Sequence, residues 1–478
     1  MHYPGIVSSS HKGGRFGTVL SIPVIAVAVF GVWRAIETGH VAKNQGRPPT
    51  VVFVVMDTVR ADRTSLCGYE HPTTPALEAL ARGGATYACN SHAPSTWTLP
   101  SHASFFTGRD PIEHLSGSGG GKQSMSWGGV TPLDDRWPTL AEDMSARGYQ
   151  TLLLSGNPVV AERMGLTRGF DHVAVARAYP DMHDGRLAAR LERLLEEAEL
   201  DPQLPLFAFI NIADPHSPWT AIPEGVSFLP VRKPLAPQPG RQRYESGAME
   251  EGEDIRWLSH LSDVYDFSIL RADRSLLRVL DLLRERGWLD EDYRLVITSD
   301  HGEYLGEHQM VEHGRPYFYE AVTRVPLLYF SSEGHVELPD DAPAVVAHAL
   351  ARDGVVPDPL PPKRASTFRR GPEPPEPAPP CWNSAAAIWK GDSKLMANRG
   401  ELVRFDLRSD PDEVRPMPAD GLPATAELVR YCRALDRAYA SRPKTNEEIP
   451  RQVAAQLKVL GYLDDDEDGS PSGNSMVP

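Results

Sequence analysis

Apolar and polar positions along the chain switch between two periods. Val51-Val52-Phe53-Val54-Val55-Met56 is a continuous apolar run that ends on Asp57, the pattern of a strand buried on both faces. Thr74-Pro75 then opens a helix, since proline suits the first turn and the threonine before it can cap. Leu77, Leu80 and Ala81 follow at helical spacing, and Gly83-Gly84 ends the segment. The same helix-then-strand signal recurs at residues 139–147 and 150–155. Residues 187–200 predict a charged amphipathic helix, and residues 206–212 a buried strand broken only by Asn211. A longer helix over residues 258–286 carries Ile269, Leu276, Leu277, Val279, Leu280 and Leu283 on an apolar face. The next strand is residues 295–298. Strands alternating with helices predict an α/β fold, a mainly parallel sheet covered on both faces. Ligands of such sheets lie beyond the carboxyl ends of the strands, and Asp57, Asp214 and Asp300 all stand there.

Outside this core the patterning changes. Lys12 and Arg15 precede an uncharged stretch, Phe16 to Trp33, stopped by Arg34. Its length is close to the ~17–20 residues at the lower limit for a membrane helix. Residues 16–34 are therefore predicted as a signal anchor or transmembrane helix, with a cleaved secretory signal as the alternative. Residues 1–15 form an N-terminal tail and 35–49 a polar linker. Residues 50–353 make the catalytic domain, in which 116–129 and 230–254 read as loops. The proline-dense stretch 354–380 reads as an irregular linker. Residues 381–462 form a C-terminal subdomain with short strands at 385–388, 393–396 and 402–405 and a helix at 424–439. The acidic tail, 463–478, is expected to be disordered.

Composition narrows the function classes. Of the 478 residues 41% are hydrophobic and nine are tryptophan, ample for a large core. The net charge of −15 argues against general nucleic-acid binding, which needs a basic face. It leaves an anionic substrate open, because one metal ion outweighs a diffuse negative field. Cys67, Cys89, Cys381 and Cys432 lack the spacing of a zinc site. They allow one or two disulfides in an oxidising compartment, or buried thiols, and the sequence leaves the pairing open.

The chemistry is concentrated in three segments. Residues 98–108 read Thr-Leu-Pro-Ser-His-Ala-Ser-Phe-Phe-Thr-Gly, Asp57 ends the first strand, and Ser299-Asp300-His301-Gly302-Glu303 follows the strand at 295–298. Together they resemble the sulfatase branch of the alkaline phosphatase superfamily. The resemblance implies an alkaline-phosphatase-like α/β fold: a mainly parallel central sheet with helices on both faces, plus a smaller C-terminal α+β subdomain. Gly391-Asp392-Ser393-Lys394-Leu395 and Phe405-Asp406-Leu407-Arg408-Ser409-Asp410-Pro411 match the pattern of that subdomain. The family's nucleophile segment is Cys-x-Pro-Ser-Arg; here Thr98 takes the cysteine slot and His102 the arginine slot. Threonine cannot become the family's formylglycine, so none is expected.

Residue by residue, the resemblance implies a divalent metal ion (calcium, zinc or manganese) held by Asp57, Asp300 and His301. A buried carboxylate at a strand end is costly without such a partner. The family often has two aspartates where this chain has Asp57-Thr58, and Asp62 is a weak substitute. Thr98 is the nucleophile, with its pKa lowered by the metal, and His102 is expected to bond the nucleophile or the substrate oxygens. His216, in Asp214-Pro215-His216, contacts substrate or acts as the acid. Asp214 and His308 are candidates for a second metal, and His313 or Arg315 for the substrate-binding lysine of the family. Taken alone, Asp57 and Thr98 each have a plainer reading as helix caps.

The expected protein is a sulfatase-like sulfuric or phosphoric ester hydrolase with Thr98 as a metal-activated nucleophile. Its substrate is a small-molecule, glycan or lipid ester. It meets the membrane through its N-terminal segment, with the catalytic domain outside the cytoplasm, or it is secreted. Two rivals remain, the first suggested by a threonine nucleophile beside an anchor and the second by the departures at Thr58, Thr98 and His102. One is a membrane-anchored phosphoryl-group transferase acting on lipid or glycan head groups. The other is a degenerate, non-catalytic binder of sulfated or phosphorylated polymers.

Overall fold

The computed structural model describes residues 47–118, 130–177, 186–219, 241, 243–250, 252–290, 292–368 and 375–441. The predicted anchor at 16–34 and the acidic tail at 463–478 lie outside them. Among the described residues no helix is long and apolar enough to cross a membrane.

A seven-stranded sheet forms the centre. Its order is Thr86–His92, Arg324–Ser331, Tyr293–Thr298, Thr50–Met56, Leu206–Ile212, Gln150–Ser155 and His172–Val175. Arg324–Ser331 runs antiparallel to both its neighbours, and every other adjacent pair is parallel. Thr50–Met56 is central, and its side chains divide by parity. Val51, Phe53 and Val55 pack with Phe105, Phe106 and Phe209 on one face. Val52, Val54 and Met56 pack with Leu261, Ile269 and Leu276 of the long helix Glu253–Glu285 on the other. Burial on both faces is why this strand is apolar from Val51 to Met56, and why the next polar residue, Asp57, marks the strand end.

The helix Pro75–Arg82 forms where Thr74-Pro75 predicts it, but Thr74 does not cap it. The Thr74 hydroxyl is engaged with Ser65 and the Leu66 amide. The cap is Asp273, from the long helix, which accepts from the amides of Ala76 (2.8 Å) and Leu77 (3.2 Å). Burial raises the Asp273 carboxyl from 3.8 to about 7, and the two amides only partly oppose this. Between those values the folded chain holds a proton that the unfolded chain has lost, so stability falls as pH rises across the window. Asp273→Asn keeps an acceptor for the helix start and removes the titration. The expected result is a Tm that declines less than the wild-type Tm from acidic to neutral pH. Parallel curves would exclude this account.

The C-terminal unit is a five-stranded antiparallel sheet in the order Arg364–Phe368, Ser384–Lys390, Ser393–Asn398, Glu401–Asp406 and Met417–Pro418. The helix Pro423–Ala440 packs on it. Residues 364–368 correct the prediction of an irregular 354–380 linker. The five residues contain no proline, so they can pair with Ser384–Lys390 while prolines on either side stay out of the ladder. Lys394 is fully buried and ties this unit to the central sheet. Its Nζ lies 3.0 Å from Glu320 Oε1 and 2.7 Å from Glu413 Oε1, while Glu320 also accepts from His92 Nε2 at 2.9 Å. The cysteines pair as Cys67–Cys89 and Cys381–Cys432.

Candidate active site

Three strand ends meet at one point. Asp57 follows Thr50–Met56, Asp300-His301 follows Tyr293–Thr298, and Asn157 stands two residues past Gln150–Ser155. Thr98 arrives from below as the first residue of the helix Thr98–Thr107. Trp97 is the N-cap of that helix, so the plainer reading of Thr98 as a cap does not hold. The helix stops at Gly108, whose φ of 67° is left-handed; a Cβ there would meet the His348 ring at 2.8 Å.

Asp57, Asp300 and His301 each turn a ligand atom to a common centre, all within 4.8 Å of one another, and all three residues are buried. Asp57 Oδ2 accepts from Asn157 Nδ2 (2.9 Å) and Asn211 Nδ2 (3.0 Å). Asp300 Oδ1 accepts from the amides of Thr58 and His301, both at 3.1 Å. Among the described residues no hydrogen-bond donor reaches Asp57 Oδ1 or Asp300 Oδ2. Burial would raise the pKa of Asp57, but His216, His301, His102 and the Asn211 amide hold it below the ordinary value. Burial and then the Asp57 charge push Asp300 well up. Two buried carboxylates, each with an oxygen lacking a donor, fit a cation. His301 fits as the third donor. Its Nδ1 donates to the Gly302 carbonyl (3.0 Å), which leaves the lone pair on Nε2, 3.4 Å from both Thr98 Oγ1 and Asp300 Oδ2. Gly302 is needed beside it, because a Cβ would stand 2.2 Å from the Ala321 carbonyl oxygen.

The turn after Asp57 is unusual. Thr58 takes a left-handed φ of 62°, rare for a β-branched residue. That conformation points its amide at Asp300, while its carbonyl accepts from the Tyr265 hydroxyl at 2.5 Å. Asp62, the weak substitute ligand, is forked onto Arg60 at 2.8 and 3.0 Å and takes no part.

The remaining predicted residues divide. His102 lies beneath the site, against Phe105, Phe106 and Phe209. Its Nδ1 donates to the Thr98 carbonyl (2.9 Å) rather than to the hydroxyl, and burial lowers it to about 4, so it is neutral. His216 and His313 stand edge to face at 4.6 Å, and His313 lies 4.4 Å from His301. His313, not Arg315, is therefore the one at the centre; Arg315 bonds Glu245 at 2.7 Å. His313 Nδ1 meets Glu303 Oε1 at 2.9 Å, and burial pushes that carboxyl up to about 8. The second-metal set does not assemble. Asp214 pairs with Arg271 at 2.7 Å. His308, in a left-handed turn with φ 53°, stacks on Tyr319 at 3.5 Å.

Sequence reading missed Asn157, Asn211 and Glu303 as parts of the site. Asn211 carried a signal, since a lone amide inside an otherwise apolar buried strand needs a partner. Asn157 carried none beyond its place after a strand.

A profile of the Sulfatase family matches residues 49–350. An arylsulfatase of Clostridium perfringens is 24% identical over 448 residues, covering 77% of this chain and 89% of that protein. Among solved structures, the phosphonate monoester hydrolase of Agrobacterium radiobacter superposes with a TM-score of 0.60 at 19% identity, covering 82% of this chain and 96% of that one. A protein solved in complex with its substrate D-glucosamine-2-N,6-O-disulfate superposes at 0.59 with 18% identity, covering 84% and 100%.

Proposed function

The chain belongs to the sulfatase family and is a sulfuric or phosphoric ester hydrolase, and from that premise we propose that it works through Thr98 as a covalent nucleophile. The observation that carries this is the position of Thr98 Oγ1. It lies 3.4 Å from His301 Nε2 and 3.2 Å from Asn157 Nδ2, beside the three candidate metal ligands.

Asp57, Asp300 and His301 would hold the divalent ion. When bound, the ion supplies Lewis acidity that favours the ionised Thr98 hydroxyl. A nitrogen ligand beside two carboxylates suits zinc or manganese better than calcium. Thr98 Oγ1 attacks phosphorus or sulfur, and the bond to the departing alcohol breaks. The alcohol takes a proton through His216 or His313, the two imidazoles that meet edge to face beside the site. Water then hydrolyses the Thr98 ester. Glu303 orients His313 through Nδ1, and His102 fixes the carbonyl of Thr98 from below.

Threonine in place of a formylglycine precursor favours attack on phosphorus. An intact group of three candidate ligands weighs against the non-catalytic binder. Two disulfides suit an oxidising compartment outside the cytoplasm, which agrees with the N-terminal apolar run read as an export signal or anchor. A sugar ester is the substrate class we favour, given the disulfated glucosamine bound by the structural neighbour.

The test is paired kinetics of the full chain on aryl phosphate, aryl phosphodiester and aryl sulfate. Each is run after chelation and again with zinc, manganese or calcium restored. Faster phosphate or diester cleavage with zinc or manganese is expected. Dominant sulfate cleavage would overturn the preference for phosphorus, and turnover that survives chelation would remove the metal from the reading.

A further inference from the structure

Asn157 is clamped at both ends of its amide. Its Oδ1 accepts from the Val159 amide at 2.9 Å. Its Nδ2 donates to Asp57 Oδ2 at 2.9 Å and to Thr98 Oγ1 at 3.2 Å. The Val159 contact settles the orientation, because an oxygen must face that N–H. The backbone is pinned as well, with the Asn157 amide donating to Ser155 Oγ at 3.0 Å and Asn211 Oδ1 at 3.2 Å. A buried, preoriented N–H is thus aimed at the oxygen that the proposed chemistry uses as nucleophile and then as leaving group.

We propose that Asn157 is a catalytic residue that stabilises negative charge on Thr98 Oγ1 while the covalent Thr98 ester is hydrolysed. The inference rests on Thr98 being the nucleophile. In the hydrolysis step a water oxygen bonds to phosphorus or sulfur and the bond to Thr98 Oγ1 breaks. Oγ1 leaves carrying the electron pair and ends with a proton given up by the water. An N–H fixed on Oγ1 is worth most while that charge develops. Asn211 supplies the control. It donates to the same Asp57 Oδ2 at 3.0 Å but reaches His102 instead of Thr98.

The experiment compares Asn157→Ala, Asn211→Ala and wild type, all loaded with zinc. Turnover of para-nitrophenyl phosphate and para-nitrophenyl sulfate is acid-quenched, and the peptide containing Thr98 is weighed by mass spectrometry. An aryl oxide departs readily, so hydrolysis of the ester limits the cycle and the adduct is visible. Asn157→Ala is expected to lower kcat about a hundredfold and to raise the fraction of chains carrying a Thr98 ester. Asn211→Ala removes one of the two acceptors of the Asn157 backbone amide and should raise that fraction much less than Asn157→Ala does, while zinc titration shows weaker binding in both variants. Equal adduct fractions in the two variants would mean that Asn157 acts only through Asp57, and would overturn the proposal. A fall in kcat without accumulation would overturn it too. If Asn157→Ala does not fold, Asn157→Asp keeps the acceptor for Val159, removes both donors and gives the same readout. A Thr98→Ala chain with wild-type turnover would instead bring down the nucleophile itself, and this inference with it.

Discussion

Replacing Thr98 by alanine is expected to lower kcat for aryl ester cleavage by about a thousandfold or more, because loss of a covalent nucleophile removes the reaction path and not merely a contact. The same change should hardly affect folding. Thr98 is the first helical residue, not the cap, and alanine is the best helix former. The Tm should therefore stay within a few degrees of wild type while the rate collapses. Thr98→Ser keeps an oxygen at the same position and is expected to retain activity within about tenfold. The extra freedom of a side chain without a branch at Cβ accounts for the difference. The pair of variants separates chemistry from packing. If alanine and serine lose activity equally, the methyl group and not the hydroxyl is what the site needs, and the nucleophile assignment fails. Unchanged turnover in Thr98→Ala would be as damaging.

Legibility in the sequence followed the range of the interactions. The strands Thr50–Met56 and Leu206–Ile212 were readable because burial on both faces leaves a nearly continuous apolar run, interrupted in the second only by Asn211. Asp57 was readable because it is the first polar residue after such a run, and Asp300-His301 because the pair follows the strand Tyr293–Thr298 in a recognisable local motif. What depended on pairing between distant segments was not. The helix at Pro75 looked self-capped by Thr74, yet its cap comes from Asp273, nearly two hundred positions away. His308 and Asp214 had suitable donor atoms, but His308 is stacked on Tyr319 and Asp214 is paired with Arg271. The difference between His313 and Arg315 rests on partners ten and seventy positions away, Glu303 and Glu245. Residues 364–368 were hidden by the prolines around them, because composition averaged over the stretch outweighed five residues able to pair.

The largest effect after loss of the nucleophile is expected at Asp300, and it differs in sign with and without metal. In the metal-free protein, burial and the Asp57 charge push the Asp300 carboxyl well up from its ordinary value, so its charged form is disfavoured. Asp300→Asn replaces a carboxyl whose charge is disfavoured by a neutral amide of the same shape, and its oxygen still accepts from the Thr58 and His301 amides. The metal-free Tm should be unchanged or slightly higher. Asp57 is the opposite case. It is held ionised and accepts at Oδ2 from two side-chain amides. Asp57→Asn must either turn an N–H toward those donors or move its oxygen off the centre. It should cost the metal-free protein about 1–3 kcal/mol, the usual penalty for a buried polar group left without its partner. Restoring zinc at about a hundred times its Kd should stabilise wild type by about 2.7 kcal/mol and neither variant, and neither should turn over an aryl ester. Thermal melts of the three proteins, with chelator and with zinc, give all six values. A metal-free Asp300→Asn protein that melts as early as Asp57→Asn would mean that Asp300 is ionised without a cation. The electrostatic case for a metal at this centre would then lose its basis.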